Sequence, residues 1–271
     1  MLKFILKYFY LPVKLLIRKY NVAIQPRFTK PFKNHEKVLG GVIAYNKYGG
    51  YFVPLSSKDR PAVQKILKGS IYEPQTINFI KKNCNQGDII HAGTFFGDFL
   101  PGISQSLSKN SILWAFEPNP ENFRSAKITC LINNLENIEL YNFGLGSEKS
   151  TANLLFKLGQ YHLGGASRIV SKIKKNSTVS IKINSIDNVI PNERLVSIIQ
   201  LDIEGYENEA LIGGLKTIKR CKPIIILEDN NNVIQSNWFA DNILSMGYEV
   251  NQKIHNNTLL TVPKYHSNII I

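Results

Sequence analysis

The sequence predicts an α/β fold in which a terminal antiparallel hairpin closes a mostly parallel sheet. Three observations support this prediction. Short apolar strands alternate with helices, and polar turns follow the strands at Gly93 and Asp202. The last two strands, Tyr248–Gln252 and Thr258–Val262, are joined by a tight turn and must therefore be antiparallel. Helical crossovers imply a parallel sheet, and the carboxyl edge of such a sheet is where ligands bind.

Each element has its own local signal. A Gly-containing turn within residues 40–56 predicts a hairpin, and helices are expected at 61–68 and Ile71–Cys84. The alternating region predicts strands Asp88–Ala92, Ile112–Phe116 and Ile138–Phe143, with helices at 98–107 and 120–133, the second capped by Asn119. Strands Thr151–Phe156 and Val179–Ile183 flank a loop at 159–176. The alternation then resumes with strand Ser197–Asp202, helix 206–213, strand Pro223–Glu228 and helix 233–246.

The positive charge is concentrated at the N-terminus. The 271 residues carry a net charge of +13, of which residues 1–37 contribute +8, from nine Lys or Arg residues and one Glu. No aromatic and basic stripe accompanies this charge, so nucleic acid is not an expected partner. The three cysteines form no CxxC pair, which disfavours a disulfide framework or a zinc site and favours a reducing, cytoplasmic location.

Residues 1–38 predict a basic amphipathic segment followed by a linker. Lys3, Lys7, Lys14 and Arg18 fall within an arc of roughly 60° on a helix, leaving a broad apolar face. The apolar run is too short to span a bilayer and has no signal-peptide pattern. One interpretation places residues 1–20 at the inner face of a membrane as a peripheral helix. The other packs the apolar face on the chain's own body or on a second subunit in a homodimer.

The first turn after a predicted strand carries Gly93 and Gly97 in Gly-x-x-x-Gly spacing. A dinucleotide-binding turn needs Gly-x-Gly-x-x-Gly, and Phe95 and Phe96 would obstruct a pyrophosphate but not a nucleoside or methionine. Glu117 ends the next strand, 24 positions after Gly93, which suits a ribose diol. Alternatively, Glu117 interacts with the helix dipole near its N-cap.

Polar residues also follow the later strands. Asn142, Phe143 and Gly144 form either an adenine contact or a simple turn. Asp202, Glu204 and Glu207 cluster within six residues, yet no His or further acid nearby in sequence completes a coordination shell, so no metal is expected.

Two histidines lie near these turns. His91 follows two Ile residues on a strand and is expected to be a hydrogen-bonded core residue. His162 lies in a Gly-rich loop, where it is a candidate general base.

These motifs together resemble the FkbM family of S-adenosylmethionine-dependent O-methyltransferases, over roughly residues 85–262. The matching segments are His91–Phe99, Phe116–Asn119, Asn142–Ser147 and Gln200–Glu207, the last resembling Lys-x-Asp-x-Glu-Gly-x-Glu. The resemblance implies a class I methyltransferase (Rossmann-like) fold with a seven-stranded sheet. It also implies a methyltransferase domain at 85–271, with residues 39–84 as a hairpin and helices that cover its core.

The resemblance also implies a set of site residues. Expected to bind S-adenosylmethionine are His91, Gly93, Thr94, Phe95, Gly97, Asp98, Phe99, Glu117, Pro118, Asn119, Asn142, Phe143, Gly144 and Asp202. The catalytic candidates are Asp202 and Glu204, followed by His162. One departure stands out: His91 replaces the family's usual Asp, so that either Asp98 or Asp202 compensates or cofactor affinity is weaker.

The expected reaction is methylation of a hydroxyl group on a sugar, a glycan or a related small molecule. Two alternatives stay open. One is a nicotinamide-dependent oxidoreductase on a Rossmann-like fold, which would lack a fingerprint glycine. The other is a non-catalytic, membrane-associated scaffold, which the atypical His91 and Phe95 would favour.

Overall fold

The structure, a computed structural model, describes residues 39–84 and 87–270. The predictions for the N-terminal segment, including membrane contact through residues 1–20 and its alternative of packing on protein, fall outside the described residues and stay predictions. Within the described ranges, no helix is both long enough and apolar enough to cross a bilayer.

The described chain alternates strands and helices. The strands are β1 Gly41–Asn46, β2 Gly49–Pro54, β3 Asp88–Ala92, β4 Leu113–Phe116, β5 Ile138–Tyr141, β6 Gly144–Leu145, β7 Ser150–Leu155, β8 Lys157–Leu158, β9 Tyr161–His162, β10 Arg168–Val170, β11 Thr178–Asn184, β12 Val196–Leu201, β13 Ile224–Leu227, β14 Glu249–Ile254 and β15 Asn257–Thr261. The α-helices are α1 Pro61–Leu67, α2 Pro74–Asn83, α3 Leu100–Ser104, α4 Pro120–Ile132, α5 Ile186–Val189, α6 Glu207–Ile212, α7 Leu215–Cys221 and α8 Asn237–Asn242.

The central sheet has seven strands in the order β5-β4-β3-β12-β13-β15-β14. Strands β5, β4, β3, β12 and β13 are parallel, whereas β15 is antiparallel to β13 and β14 is antiparallel to β15. The predicted mostly parallel sheet with a terminal antiparallel hairpin is therefore confirmed. The chain moves outward from β3 to β5 and later returns beside β3 as β12. The strand order thus reverses between β3 and β12, the position where open α/β sheets bind ligands.

Both faces of the sheet are covered. All five residues of β3 are buried, and they alternate between two apolar cores: Ile90 packs in one and Ile89 in the other. A central parallel strand that is buried on both faces has a nearly continuous apolar sequence for this reason. His91 interrupts the run on the Ile89 side, opposite Gln200 of β12.

The N-terminal hairpin β1–β2 packs on helix α4 through polar contacts. Asn133 accepts a hydrogen bond from Gly50 N (2.9 Å) and donates to Gly50 O (2.6 Å), while Thr129 Oγ1 accepts from Phe52 N (3.0 Å). The Thr129 hydroxyl also donates to Phe96 O (2.9 Å). The hairpin, the helix and the turn after β3 are therefore held together as one unit.

A smaller four-stranded sheet, in the order β10-β7-β11-β6, covers part of the carboxyl edge. The predicted loop at 159–176 is therefore wrong in part, because it contains β9 and β10. Strand β10 forms through long-range pairing, with Ile169 opposite Leu154 of β7. A segment rich in Gly, Ser and Lys shows no local strand signal, so the neighbouring strand decides its structure.

Several predicted helix boundaries also require correction. Helix α2 begins at Pro74 and not at Ile71, and α3 spans only Leu100–Ser104. The predicted helix at 233–246 is interrupted, because Ser236 is extended and its hydroxyl accepts from Phe239 N (3.1 Å) to start α8. Helices α5 and α7 were not predicted. Helix α7 follows the Gly213–Gly214 pair, which separates it from α6.

Candidate functional site

The site begins where the turns after β3 and β12 touch. Gly93 has φ +91°, and a Cβ atom there would lie 1.8 Å from the backbone oxygen of Asp202. Only glycine permits this approach, because any side chain would collide with backbone and would also adopt a strained conformation. Gly93 and Asp202 line two adjoining cavities, one on each side of this contact.

The turn after β3 is tied to the turn after β4. Phe95 has φ 51°, and its backbone N–H donates to Glu117 Oε2 (2.8 Å). The Phe95 ring is buried and meets residues 164–170, here called the covering segment. A Cβ atom on Gly165 of this segment would lie 3.3 Å from the ring. A non-glycine residue in the left-handed region is held there by its surroundings, in this case by the Glu117 carboxylate.

Glu117 is only 5 % exposed. Its Oε1 accepts from Asn119 N (2.8 Å) and from Asn122 Nδ2 (3.4 Å). Burial raises the pKa of Glu117 to about 8, although hydrogen bonds from Asn119, Phe95 and Asn122 oppose that rise. Asn119 itself caps α4 by accepting from Glu121 N (3.0 Å), so the helix does not depend on Glu117 for its cap. A carboxylate offers about four acceptor positions, which leaves capacity for a ligand hydroxyl.

The first cavity lies beside Glu117 on the β4 side. Its acidic residues are Glu117 and Asp202, and its largely apolar walls come from the residues Phe116, Pro118, Leu145, Leu154, Ile169 and Tyr206. Gly165 and Ser167 close it from the covering segment. The space measures about 30 Å³, and the covering segment at 164–170 forms one wall of it through Gly165, Ser167 and Ile169.

The second cavity, of about 180 Å³, lies on the β13 side of Gly93. Its acidic wall combines Asp202, Glu204 and Glu228, whose carboxylate oxygens lie within 4.8 Å of one another. Burial raises the pKa of Asp202 well above its ordinary value, and a carboxyl–carboxyl hydrogen bond to Glu228 reinforces the rise. Burial likewise raises the pKa of Glu204, and repulsion from Glu228 adds to the rise.

Glu207 shapes the loop that presents Glu204. Its Oε1 accepts from Ile203 N (3.0 Å) and from Gly205 N (3.1 Å). Glu204 has φ 54° and Gly205 has φ 96°, so two successive residues of the loop have positive φ angles before α6 begins. Glu207 therefore supports the loop, whereas Glu204 faces the cavity.

His91 forms the inner wall of the second cavity. It is 2 % exposed, its Nδ1 contacts the amide oxygen of Gln200, and its ring stacks on Phe99 with centroids 5.3 Å apart. Burial lowers the pKa of His91 to about 4, so the ring is neutral near pH 7. Its Nε2 is buried and has no hydrogen-bond partner among residues 39–84 and 87–270. His91 is therefore the buried, hydrogen-bonded histidine that the sequence predicts, but only one of its two ring nitrogens has a partner in these ranges.

The predicted site residues separate into three groups. Around the first cavity lie Gly93, Glu117, Pro118, Gly144 and Asp202. Around the second lie His91, Gly93, Phe95, Asp98, Phe99, Asp202 and Glu204. Neither lining includes Thr94, Gly97, Asn119, Asn142, Phe143 or His162. Asn142 donates to Glu117 O (2.9 Å), and His162 Nδ1 lies 3.6 Å from Glu121 Oε2. The structure does not bring His162 to the acidic cluster.

Glu228 was not among the predicted site residues, because it is far from Asp202 and Glu204 in sequence and joins them only in the fold. Glu228 follows β13 directly, and β13 pairs with β12 in parallel, Leu227 opposite Leu201. The two acids are therefore neighbours across the sheet although they are far apart in sequence. An acid at the end of the predicted strand Pro223–Glu228 was the available signal.

The chain is similar to known methyltransferases. Residues 91–257 match the family model of the methyltransferase FkbM domain. None of the curated proteins matches the chain. A methyltransferase FkbM from Methylobacillus flagellatus is 17% identical, with a TM-score of 0.46, over 65% of this chain and 43% of its own.

Two further solved structures are similar at lower scores. A SAM-dependent methyltransferase from Aquifex aeolicus is 14% identical, with a TM-score of 0.39, over 75% of this chain and 92% of its own. A Pyrococcus abyssi tRNA (uracil-54, C5)-methyltransferase, solved with S-adenosyl-L-homocysteine, is 11% identical, with a TM-score of 0.40, over 82% of this chain and 43% of its own. Since the family match extends from the end of β3 to the start of β15 and covers most of the chain, this protein belongs to the FkbM methyltransferase family.

Proposed function

We propose that the protein is an S-adenosylmethionine-dependent O-methyltransferase. Family membership supports methyl transfer. The observation that carries the proposal is the buried acid Glu117, which lines the same cavity as Gly93 at the carboxyl edge of the sheet, a cavity with largely apolar walls. Such a carboxylate suits a ribose diol, and the apolar walls suit an adenine ring.

The residues present fit this cofactor. Glu117 would hold the ribose, with Pro118 and Leu145 against the base. The methionine part would extend past Gly93 toward the second cavity, where Asp98 and Asp202 offer carboxylates to an ammonium group. These two acids are available to compensate for the Asp that His91 replaces. When bound, the cofactor supplies a methyl group on a positively charged sulfur.

The protein's own contribution is positioning and proton removal. Holding an acceptor oxygen in line with the methyl group supplies much of the acceleration, about 7–11 kcal/mol in well-oriented reactions. We assign the acceptance of the hydroxyl proton to the carboxylates of Asp202 and Glu204, which face the second cavity. A base at this position adds typically 10²–10⁴-fold. His162 remains a third candidate that would have to leave Glu121 to take part.

The acceptor we infer is a hydroxyl on a sugar, a glycan or a related small molecule. The second cavity supports this inference because its wall is rich in carboxylates and also includes Arg60. Carboxylates accept hydrogen bonds from several hydroxyl groups at once, as a polyol requires. A purely apolar acceptor would leave these groups unpaired at a free-energy cost.

Calorimetry with S-adenosylhomocysteine tests the role of Glu117. We expect Glu117→Gln to weaken binding by about 10-fold or more at a pH above about 8, where Glu117 is ionised, because a hydrogen bond to a charged group is worth about 1.5–3 kcal/mol. The matched control, Glu139→Gln, removes an exposed acid on β5 and should leave the affinity unchanged. Equal affinities for the wild type and Glu117→Gln would refute the ribose assignment.

A second measurement avoids the risk that Glu117→Gln perturbs the fold. The wild-type protein should bind an S-adenosylhomocysteine analogue without the ribose 2′-hydroxyl at least about 10-fold more weakly than the parent compound. NADH should not compete. Competition by NADH together with indifference to the 2′-hydroxyl would favour the nicotinamide-dependent alternative, and absence of all adenosyl binding would favour the scaffold.

A further inference from the structure

The second cavity holds a group of side chains that methyl transfer alone does not explain. Three carboxylates, from Asp202, Glu204 and Glu228, have oxygens within 4.8 Å of one another. They come from the ends of two adjacent parallel strands, so the sheet holds two of their backbones side by side. Proton removal needs one carboxylate, whereas this cluster has three.

The described residues supply no cation in direct contact with the cluster. No Lys or Arg nitrogen in residues 39–84 or 87–270 lies within 4.0 Å of these three carboxylates. Arg60 and Arg168 act on Glu204 only at longer range. If all three groups were ionised at this spacing they would repel one another, and a cation bound between them would offset that repulsion.

His91 provides an independent observation. Its Nδ1 faces the amide oxygen of Gln200, which can only accept, so Nδ1 carries the ring proton and Nε2 presents a lone pair. That Nε2 is buried and has no partner in the part of the chain that the structure describes, and its side chain lines the same cavity as the three acids. Buried acceptors without a donor are rare in folded proteins, and an unpaired one indicates a missing partner.

We propose that Asp202, Glu204 and Glu228 bind one divalent cation, Mg²⁺ or Mn²⁺, and that His91 Nε2 accepts a hydrogen bond from a water molecule on that cation. Carboxylate oxygens are the ligands these cations prefer, and Mg²⁺ retains several water molecules when protein carboxylates bind it. The cavity of about 180 Å³ has room for a cation, its water and part of an acceptor.

The cation also narrows the acceptor class, an extension that rests on the proposed methyl transfer. A cation with open positions binds two neighbouring oxygen atoms together. The acceptor class would then be a compound with a vicinal diol or a hydroxyl beside a carboxylate. In this arrangement the three acids anchor the acceptor through the cation, and an oxygen atom of Asp202 or Glu204 that does not contact the cation accepts the hydroxyl proton. Asp98, in the same cavity, is then the acid left for the ammonium group of the cofactor.

Titration of the purified full-length protein with Mn²⁺, followed by electron paramagnetic resonance, tests the site. We expect one bound Mn²⁺ per chain, and affinity at least about 10-fold weaker in Asp202→Asn and in Glu228→Gln. His91→Phe keeps a planar ring without the acceptor and should weaken binding about 10-fold. The control Glu249→Gln removes an exposed acid on β14 and should bind as the wild type does. Thermal unfolding of each variant confirms that it is folded.

The possible outcomes distinguish cation binding by the three acids from cofactor binding by the same acids. Absence of Mn²⁺ binding at millimolar concentration, or equal binding in all variants, would overturn the proposal. If saturating S-adenosylhomocysteine abolishes Mn²⁺ binding, the acids hold the ammonium group of that ligand and the proposal also falls. Simultaneous binding supports it. Calorimetry of S-adenosylhomocysteine without metal judges the proposed function separately, so each proposal can fail while the other survives.

Discussion

At the scale of single residues, the site concentrates carboxyl groups that burial keeps from water. Asp98 is 7 % exposed and lines the second cavity. Burial raises the pKa of Asp98 to about 7, and the charge of Glu73 adds to the rise. A carboxyl with a raised pKa in the folded chain favours folding while it is protonated and opposes folding once it is ionised. The site therefore lowers the stability of the protein at neutral and alkaline pH.

Asp98→Asn tests this conclusion. The destabilisation begins as pH rises above the ordinary pKa of a carboxyl and is complete above about 7. We expect the stability advantage of Asp98→Asn over the wild type to grow by about 2–3 kcal/mol between pH 5 and pH 8. Denaturant unfolding at both pH values measures it, with exposed Asp241→Asn as the control. A pH-independent advantage would contradict the assignment.

At the scale of elements, the contact between the turns after β3 and β12 determines the geometry of both cavities. The two strands pair in parallel, with Leu201 opposite Ala92, and Asp202 N donates to Ala92 O (3.1 Å). The next residue after Ala92 must therefore pass directly beside the Asp202 backbone. Gly93 makes this possible, and the same contact presents the Asp202 carboxylate to the site.

Two glycines with positive φ separate the steric effect from the conformational one. Gly159→Ala, at φ +58° with no atom within 4 Å of the new Cβ, should cost only the left-handed penalty of about 1 kcal/mol. Gly93→Ala adds a collision with the Asp202 backbone and should cost at least ~3 kcal/mol. Urea unfolding of both variants measures the difference. Similar costs would show that the two turns separate without strain.

At the scale of the whole molecule, opposite edges of the sheet carry different functions. The carboxyl edge carries the cavities, whereas the amino edge carries a polar network around Asp88. Asp88 accepts from Trp114 Nε1 (2.8 Å), Ile112 N (2.9 Å) and Arg194 Nε (2.7 Å). These contacts connect β3 to the start of β4 and to the chain leading into β12. The network stabilises the sheet at the end opposite the two cavities.

Asp88→Asn should therefore affect stability without affecting the site. Removing this charge leaves a partly buried Arg194 unpaired, and the 28% exposure of the arginine side chain limits the cost. We expect a loss of about 2 kcal/mol in unfolding free energy. The affinity for S-adenosylhomocysteine should stay within about twofold of the wild type. A large loss of affinity at unchanged stability would show that the two edges are coupled.

The sequence alone determined the elements whose signals are local. The apolar run Asp88–Ala92 marks β3 at its observed bounds, and Asn119 caps α4 as predicted. The alternation of strands and helices, with a tight final turn, determined the parallel sheet and its antiparallel end. These features depend on whether each side chain is buried and on its neighbours along the chain. Both are visible in the order of apolar and polar residues.

Only the tertiary structure decided which distant residues meet. The pairing of β12 with β13 brings Glu228 to Asp202, and the pairing of β10 with β7 draws the predicted loop over the first cavity. Likewise, only the folded structure shows that His91 Nε2 is buried without a hydrogen-bond partner among the described residues. Strand register and the path of the covering segment fix these distances, and both depend on contacts between residues far apart in the chain, which no local pattern records.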